Sequence, residues 1–240
     1  MLTCLALLAV VLFVGFTSLG VWQVKRLEWK RALIAQVDAR VHADPVSAPG
    51  PAQWRRIEDE TYRKVQLTGQ FLDGEALVQA NTELGPGFWV MAPMRTDQGF
   101  VALVNRGFVT SDRRDPATRA TGAATVVGLL RQTEPDGGFL RANEPGGALW
   151  YSRDVVAITR ALGLDEARSP VAPYFVDAGP TPAGVWPVGG LTVIQFKNTH
   201  AIYALTWFAL AFMVAGATWY VARVERRLRR GARDQGSRVS

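Results

Sequence analysis

The residues of this 240-residue sequence that could do chemistry are few: two histidines, one cysteine, and polar side chains set against apolar runs. His200 stands in Asn198-Thr199-His200, immediately before an uncharged run, with Tyr203 and Trp207 three and seven residues further on. On a helix those spacings put both rings on the side of the imidazole. An imidazole with aromatic walls at hydrocarbon depth suits the iron of a planar, apolar macrocycle, its second nitrogen oriented by a polar neighbour such as Asn198 or Thr199. The same residues also describe a histidine at a membrane interface, among the aromatic side chains that gather there. His42 lies in a proline-rich stretch and reads as a solvated residue. A six-coordinate iron would take its other ligand from His42, from a tyrosine or methionine, or from another subunit; the sequence does not choose. Two distant histidines argue against a conventional zinc enzyme. Cys4 is alone inside an apolar run, which excludes a disulfide scaffold, a CxxC redox pair, a thiolate copper site and CxxCH haem attachment.

No phosphate loop, hydrolase elbow, Ser/His/Asp order or metalloprotease motif is present, so no constellation supports an enzyme. The net charge of +6 suggests nucleic acid until its distribution is considered. Arg223, Arg226, Arg227, Arg229, Arg230, Arg233 and Arg238 follow one apolar run, against only Glu225 and Asp234. A basic cluster that begins where an apolar helix ends reads as a cytoplasmic anchor, or as a contact with anionic headgroups, and not as a nucleic-acid surface.

These side chains need elements to position them. Met1 to Val24 carry no charged side chain, nor do Ala201 to Ala222. Each run exceeds the ~20 helical residues that cross a bilayer. The first lacks the basic start and small-x-small site of a signal peptide, and the second is apolar around its whole circumference, unlike a core helix. We therefore expect an α+β membrane protein with two terminal transmembrane helices, residues 2–22 and 201–222, flanking a β-rich extracytoplasmic domain. With two spans and a basic cytoplasmic tail at residues 223–240, both termini are cytoplasmic and the domain is periplasmic. Lys25, Arg26, Lys30 and Arg31, after the first span, pull locally the other way, and the tail outnumbers them. Gly15, Ser18 and Gly20 on one helix, and Ala204, Ala211 and Ala215 on the other, offer small surfaces for close packing.

A helical extension is expected over residues 23–40, a Pro/Gly linker over 41–53, and the β domain over 54–196. Val65 and Leu67 alternate with polar neighbours as on a half-buried strand, and further strands are expected at residues 75–80, 88–94, 100–105, 125–130, 171–176 and 191–196. A short helix near residues 153–162 takes Ser152 as its cap and ends at Gly163. Gly107 fits a turn or bulge. Trp22, Gln23 and Arg26, just outside the first span, read either as interfacial anchors or as residues that meet the His200 region if the helices pack together.

Three stretches carry a family resemblance: Gly20-Val21-Trp22-Gln23-Val24-Lys25-Arg26-Leu27-Glu28-Trp29-Lys30, Leu103-Val104-Asn105-Arg106-Gly107-Phe108-Val109, and Asn198-Thr199-His200-Ala201-Ile202-Tyr203-Ala204-Leu205-Thr206-Trp207-Phe208. In order, spacing and topology the chain resembles the surfeit-locus family of cytochrome oxidase assembly factors in its bacterial form, although Phe108 and Ala201 replace the family's common Trp and Leu. The resemblance implies a non-enzymatic factor of the bacterial inner membrane that binds haem a transiently and noncovalently. It would assist insertion of the haem into the catalytic subunit of a haem-copper oxidase, with haem a synthase as donor and membrane lipid around it. The histidine matching His200 is the implied iron ligand, with Tyr203 and Trp207 as walls. Arg106 is a candidate for a haem propionate or an oxidase carboxylate, or an ordinary turn arginine paired with an acid. Trp22, Gln23, Arg26, Asn105 and Asn198 are candidate partner or interface residues. The competing expectations are a cofactor-free protein that stabilises immature oxidase, and a membrane-anchored sensor acting through its basic tail.

Overall fold

The computed structural model of the chain describes residues 2–135, 141–144, 146, 149–164, 169–194, 196 and 198–236. Two compact units are present: residues 1–35 with 195–240, and residues 36–194. Helix α1 (Leu2–His42) and helix α3 (His200–Gly236) are each long and apolar enough to cross a membrane. Among the described residues, seven strands and the short helix α2 (Val155–Ala161) lie between them in sequence. The expected α+β membrane protein, two spans flanking a β-rich domain, is what is found.

In the first unit nothing breaks α1 where the expected span ends, because residues 23–40 contain no Pro or Gly. The backbone of α3 likewise continues as helix through the basic run as far as Gly236. Small residues set the packing between the two helices. A Cβ on Gly20 would stand 2.6 Å from Cε1 of Phe208, so only glycine admits that ring. Ala204 and Ala211 are buried, whereas Gly15, Ser18 and Ala215 are exposed.

The β unit is built from β1 (Val46–Ser47), β2 (Lys64–Phe71), β3 (Ala76–Thr82), β4 (Gly85–Thr96), β5 (Val101–Val109), β6 (Gly122–Gln132) and β7 (Val171–Ala178). The strand order is β1-β2-β6-β7-β5-β4-β3, and β2 also pairs with β4. That extra pairing closes β2, β6, β7, β5 and β4 into a ring. Pairings β1–β2 and β5–β7 are parallel; the others are antiparallel. Val65 and Leu67 point into the core with Phe100, Val104, Leu130 and Tyr174, as the alternation in β2 predicts. A second cluster lies on the other side of β5 and β7, where Leu103 and Phe175 meet Ile158 and Val155 of α2. Burial on both faces explains why β5 opens on four consecutive apolar residues, Val101 to Val104, without alternation. Each large side chain buried this way contributes roughly 1.5–3 kcal/mol of transfer free energy.

Three expectations need correction. The stretch 41–53 is ordered: α1 runs to His42, Val46–Ser47 pairs with β2, and a 3₁₀ segment occupies Pro51–Glu60. Proline has no N–H to donate but keeps its carbonyl, and Pro49 O takes hydrogen bonds from Trp54 Nε1 (2.9 Å) and from the buried Tyr174 hydroxyl (2.8 Å). Burial pushes the pKa of that hydroxyl well above the ordinary phenol range. The described part of 191–196 forms no strand. β5, β6 and β7 already have two neighbours each, so this apolar stretch meets no open edge there; Thr192 Oγ1 donates instead to Asp177 at 3.0 Å. Finally, α2 is capped by Asp154, whose carboxylate accepts from the Ala157 N–H at 3.0 Å. Ser152 is occupied otherwise, accepting from Asn143 Nδ2 at 3.0 Å.

Candidate functional site

The strongest candidate lies in the helical unit. On α1, Phe16, Gly20 and Gln23 follow at spacings of four and three, a single helical stripe. On α3, His200, Ala204, Trp207, Phe208 and Ala211 make the facing stripe. Phe16 stacks on Trp207 with centroids 5.8 Å apart and planes at 25°, and Gly20 receives Phe208. One end of the seam is closed by a polar pair: His200 Nδ1 lies 2.7 Å from Gln23 Oε1. An amide oxygen only accepts, so Nδ1 carries the proton and donates. With Nδ1 as the donor, an imidazole that binds a metal does so through the Nε2 lone pair, with its ring fixed by an outer partner. Gln23 is 9% exposed and His200 half-buried, so the amide is committed to this contact while the imidazole keeps an open side.

The residues expected beside His200 divide. Trp207 is half-buried and one face of its indole is taken by Phe16. Tyr203 is 53% exposed and presents its ring outward. Asn198 is half-buried, and its Oδ1 is a buried acceptor with no hydrogen-bond partner. A buried acceptor without a partner costs free energy, so ordinary packing does not account for it. Trp22 is exposed, and the Arg26 guanidinium lies 3.9 Å from the Trp29 ring centroid. The donor set therefore fits a haem to this extent: one imidazole with an orienting partner, an exposed aromatic at its side, and an unpaired acceptor nearby in sequence. His42 ends α1 in the other unit, exposed, with its Nδ1 against Asp38 O at 2.9 Å.

Asn105 and Arg106 sit in the β unit. Asn105 is 3% exposed; its Nδ2 donates to Asp177 at 2.7 Å and its Oδ1 accepts from the Gly107 N–H at 3.1 Å. Its amide is committed to the sheet interior by these two contacts. The same carboxylate receives Arg131 (3.0 Å) and Arg153 (3.1 Å). Burial pulls the Arg153 pKa down, but hydrogen bonds to Glu134 and the Asp177 charge hold it above its ordinary value. Gly107 has φ +125°, and a Cβ there would stand 2.4 Å from the Val188 backbone. It is indeed an irregular strand position, bridged to residue 188 through Phe108.

Arg106 lies over the Phe71 ring, 4.4 Å from its centroid, and faces a charge group that the sequence did not announce. Arg119, 7% exposed, pairs with Glu75 at 2.6 Å. Burial raises the Glu75 carboxyl pKa, with Arg119 and Arg106 opposing it. Burial also lowers the Arg106 pKa, against the pull of Glu75. The Glu75 charge thus partly balances Arg106.

Comparison with known proteins adds the last finding. The SURF1 family model matches residues 10–212, which includes every residue of the helix seam named above. Surfeit locus protein 1 of Rattus norvegicus is 35% identical over 225 residues, covering 83% of this chain and 70% of that protein. Surfeit locus protein 1 of Homo sapiens is 33% identical over 219 residues, 81% of this chain and 69% of the relative. A SURF1-like protein of Monosiga brevicollis is 32% identical over 242 residues, 92% of this chain and 87% of its own length.

Proposed function

The chain belongs to the SURF1 family, and on that premise we propose that it assists assembly of a haem-copper cytochrome oxidase by holding haem a transiently at His200. In this reading it is a carrier, not an enzyme. It takes haem a from the synthase that makes it and yields it to the immature catalytic subunit. Its place is the bacterial inner membrane, with both termini cytoplasmic and the β unit periplasmic.

The observation that carries the reading is the 2.7 Å contact of His200 Nδ1 with Gln23 Oε1. It holds the imidazole on the membrane-boundary turn of α3 and leaves Nε2 able to donate its lone pair to an iron. A single exchangeable imidazole suits a cargo that must leave. Tyr203 and Trp207 are the proposed ring neighbours, and Asn198 supplies an acceptor. Trp22, Arg26 and the half-balanced Arg106 are proposed to meet the oxidase, Arg106 through a carboxylate.

The test is visible spectroscopy of full-length protein from cells that make haem a. Wild type is expected to carry substoichiometric haem; His200→Ala is expected to lose the low-spin absorption at equal folded protein by circular dichroism. Gln23→Leu, which removes the orienting acceptor, should weaken haem retention by about 10–100-fold, and Gln23→Glu should restore it. An unchanged spectrum in His200→Ala rejects the ligand. A second reading, a cofactor-free stabiliser of immature oxidase, is favoured by the stacking of Phe16 on Trp207, which occupies a ring face that a haem would use. It prevails if neither protein carries haem while both co-purify with the oxidase subunit.

A further inference from the structure

The other end of the helix pair carries a second site, independent of the haem proposal. Between α1 and α3 runs an apolar groove of about 390 Å³, lined on one side by Val10 and Phe13 and on the other by Val214, Ala215, Trp219 and Ala222. The one hydroxyl beside it, on Thr218, donates to Val214 O at 2.7 Å and offers the groove nothing polar. From residue 214 to 222 the helix rises about 12 Å. At Trp219 and Ala222 the groove meets a second concavity, of about 450 Å³, which those two residues share with Arg223, Arg226, Arg227 and Arg230. The four arginines follow at i, i+3, i+4 and i+7, one face of α3, and all are exposed. Among the described residues, no acidic side chain lines that concavity. The Arg223 guanidinium lies 5.3 Å from the Trp219 ring centroid, at the point where the two concavities join.

Like charges at these spacings repel along a helix unless something neutralises them. Guanidinium groups pair with phosphate oxygens in a planar, forked geometry that a lysine ammonium does not reproduce. A molecule that fills both concavities has an apolar chain and, at its end, an anionic phosphate. We infer that this face is a binding site for one anionic phospholipid, an acyl chain in the groove between the spans and its phosphodiester on Arg226, Arg227 and Arg230. Trp219 sits between the two parts, at the level where an indole is comfortable in a bilayer. His200 is about 28 Å away along α3, so the site is separate from the imidazole.

Full-length protein is purified in a neutral detergent, incubated with phosphatidylglycerol or phosphatidylcholine of equal chain length, and the retained lipid counted by native mass spectrometry. Wild type is expected to retain one phosphatidylglycerol under conditions where phosphatidylcholine is washed away. Changing Arg226, Arg227 and Arg230 together to Gln should lower retention at least tenfold, while the matched Lys variant keeps a larger share. Ala215→Phe, which fills the groove and leaves every arginine in place, should lower retention as well. Equal retention of the two lipids overturns the proposal. So does full retention by Ala215→Phe, which would mean diffuse attraction to charge, and so does displacement of the lipid by glycerol phosphate alone.

Discussion

At the scale of single residues, Gly107 and Glu75 give the sharpest expectations. Gly107 holds φ +125°, with the Val188 backbone where a side chain would go. Gly107→Ala therefore meets backbone strain of about 1–3 kcal/mol and a collision that the rigid strand cannot relieve cheaply. It should lower the melting temperature of the β unit by at least ~4 °C in a fluorescence melt, using about 2–4 °C per kcal/mol for a domain of this size. For Glu75 the sign follows from linkage. Burial raises the folded carboxyl pKa above its ordinary 4.5, so the folded state holds this proton more tightly than the unfolded chain. The stability it contributes is fully present below about 4.5 and is lost as pH rises through the raised value. Measured against Glu75→Gln, wild type should lose relative melting temperature across that window and run parallel to the variant on either side of it. A constant offset at all pH values would refute the assignment. The sequence offers a meeting of Gln23 with the His200 region only as one of two readings, because the pairing spans 177 positions and no local period encodes a contact of that range. Arg119 was missed outright, because a buried arginine in a polar loop looks like any solvated one until its acid partner is placed.

At the scale of elements, the helix seam makes a claim that the polar pair alone does not. Gly20 has no polar atom, but it sets the approach of α1 to α3 through Phe208. Gly20→Leu should separate the stripes, break the Gln23–His200 contact and reduce haem retention about as much as Gln23→Leu does. Gly15→Leu is the control: a Cβ there meets nothing within 4 Å, so haem content and melting should stay unchanged. Equal effects of the two substitutions would refute the seam. Amphipathic alternation made β2 legible, and uninterrupted hydropathy made both spans legible. Closure of the ring was not legible, because the second partner of β2 is decided by tertiary pairing. The stretch 191–196 shows the reverse failure: its composition suits a strand, but the neighbouring strands leave no edge for it. The polar knot on Asp177 takes up Asn105, Arg131, Arg153 and Thr192, residues from four separate segments.

At the scale of the whole molecule, two spans require both termini to lie on one side of the bilayer. In a Cys4→Ser background, a single cysteine at Leu84, which is 48% exposed in the β3–β4 turn, should react with an impermeant maleimide in spheroplasts. A single cysteine at the exposed Arg230 should react only after lysis. Labelling in the opposite order would invert the proposed topology, and the local pull of Lys25, Arg26, Lys30 and Arg31 would then have decided the orientation.

The order of strands in the ring also has a consequence in time. β7 lies between β5 and β6, although it follows both in the chain, and it supplies the parallel partner of β5. Until Ala178 has left the ribosome, β5 and β6 each wait with an open edge, and such non-local closure is slow. His200 and the second span emerge soon afterwards. During synthesis, then, the ring becomes able to close only shortly before the chain re-enters the bilayer. A truncation ending before β7 should be prone to aggregation in a way that a truncation just after Ala178 is not, since only the shorter one leaves those two edges bare.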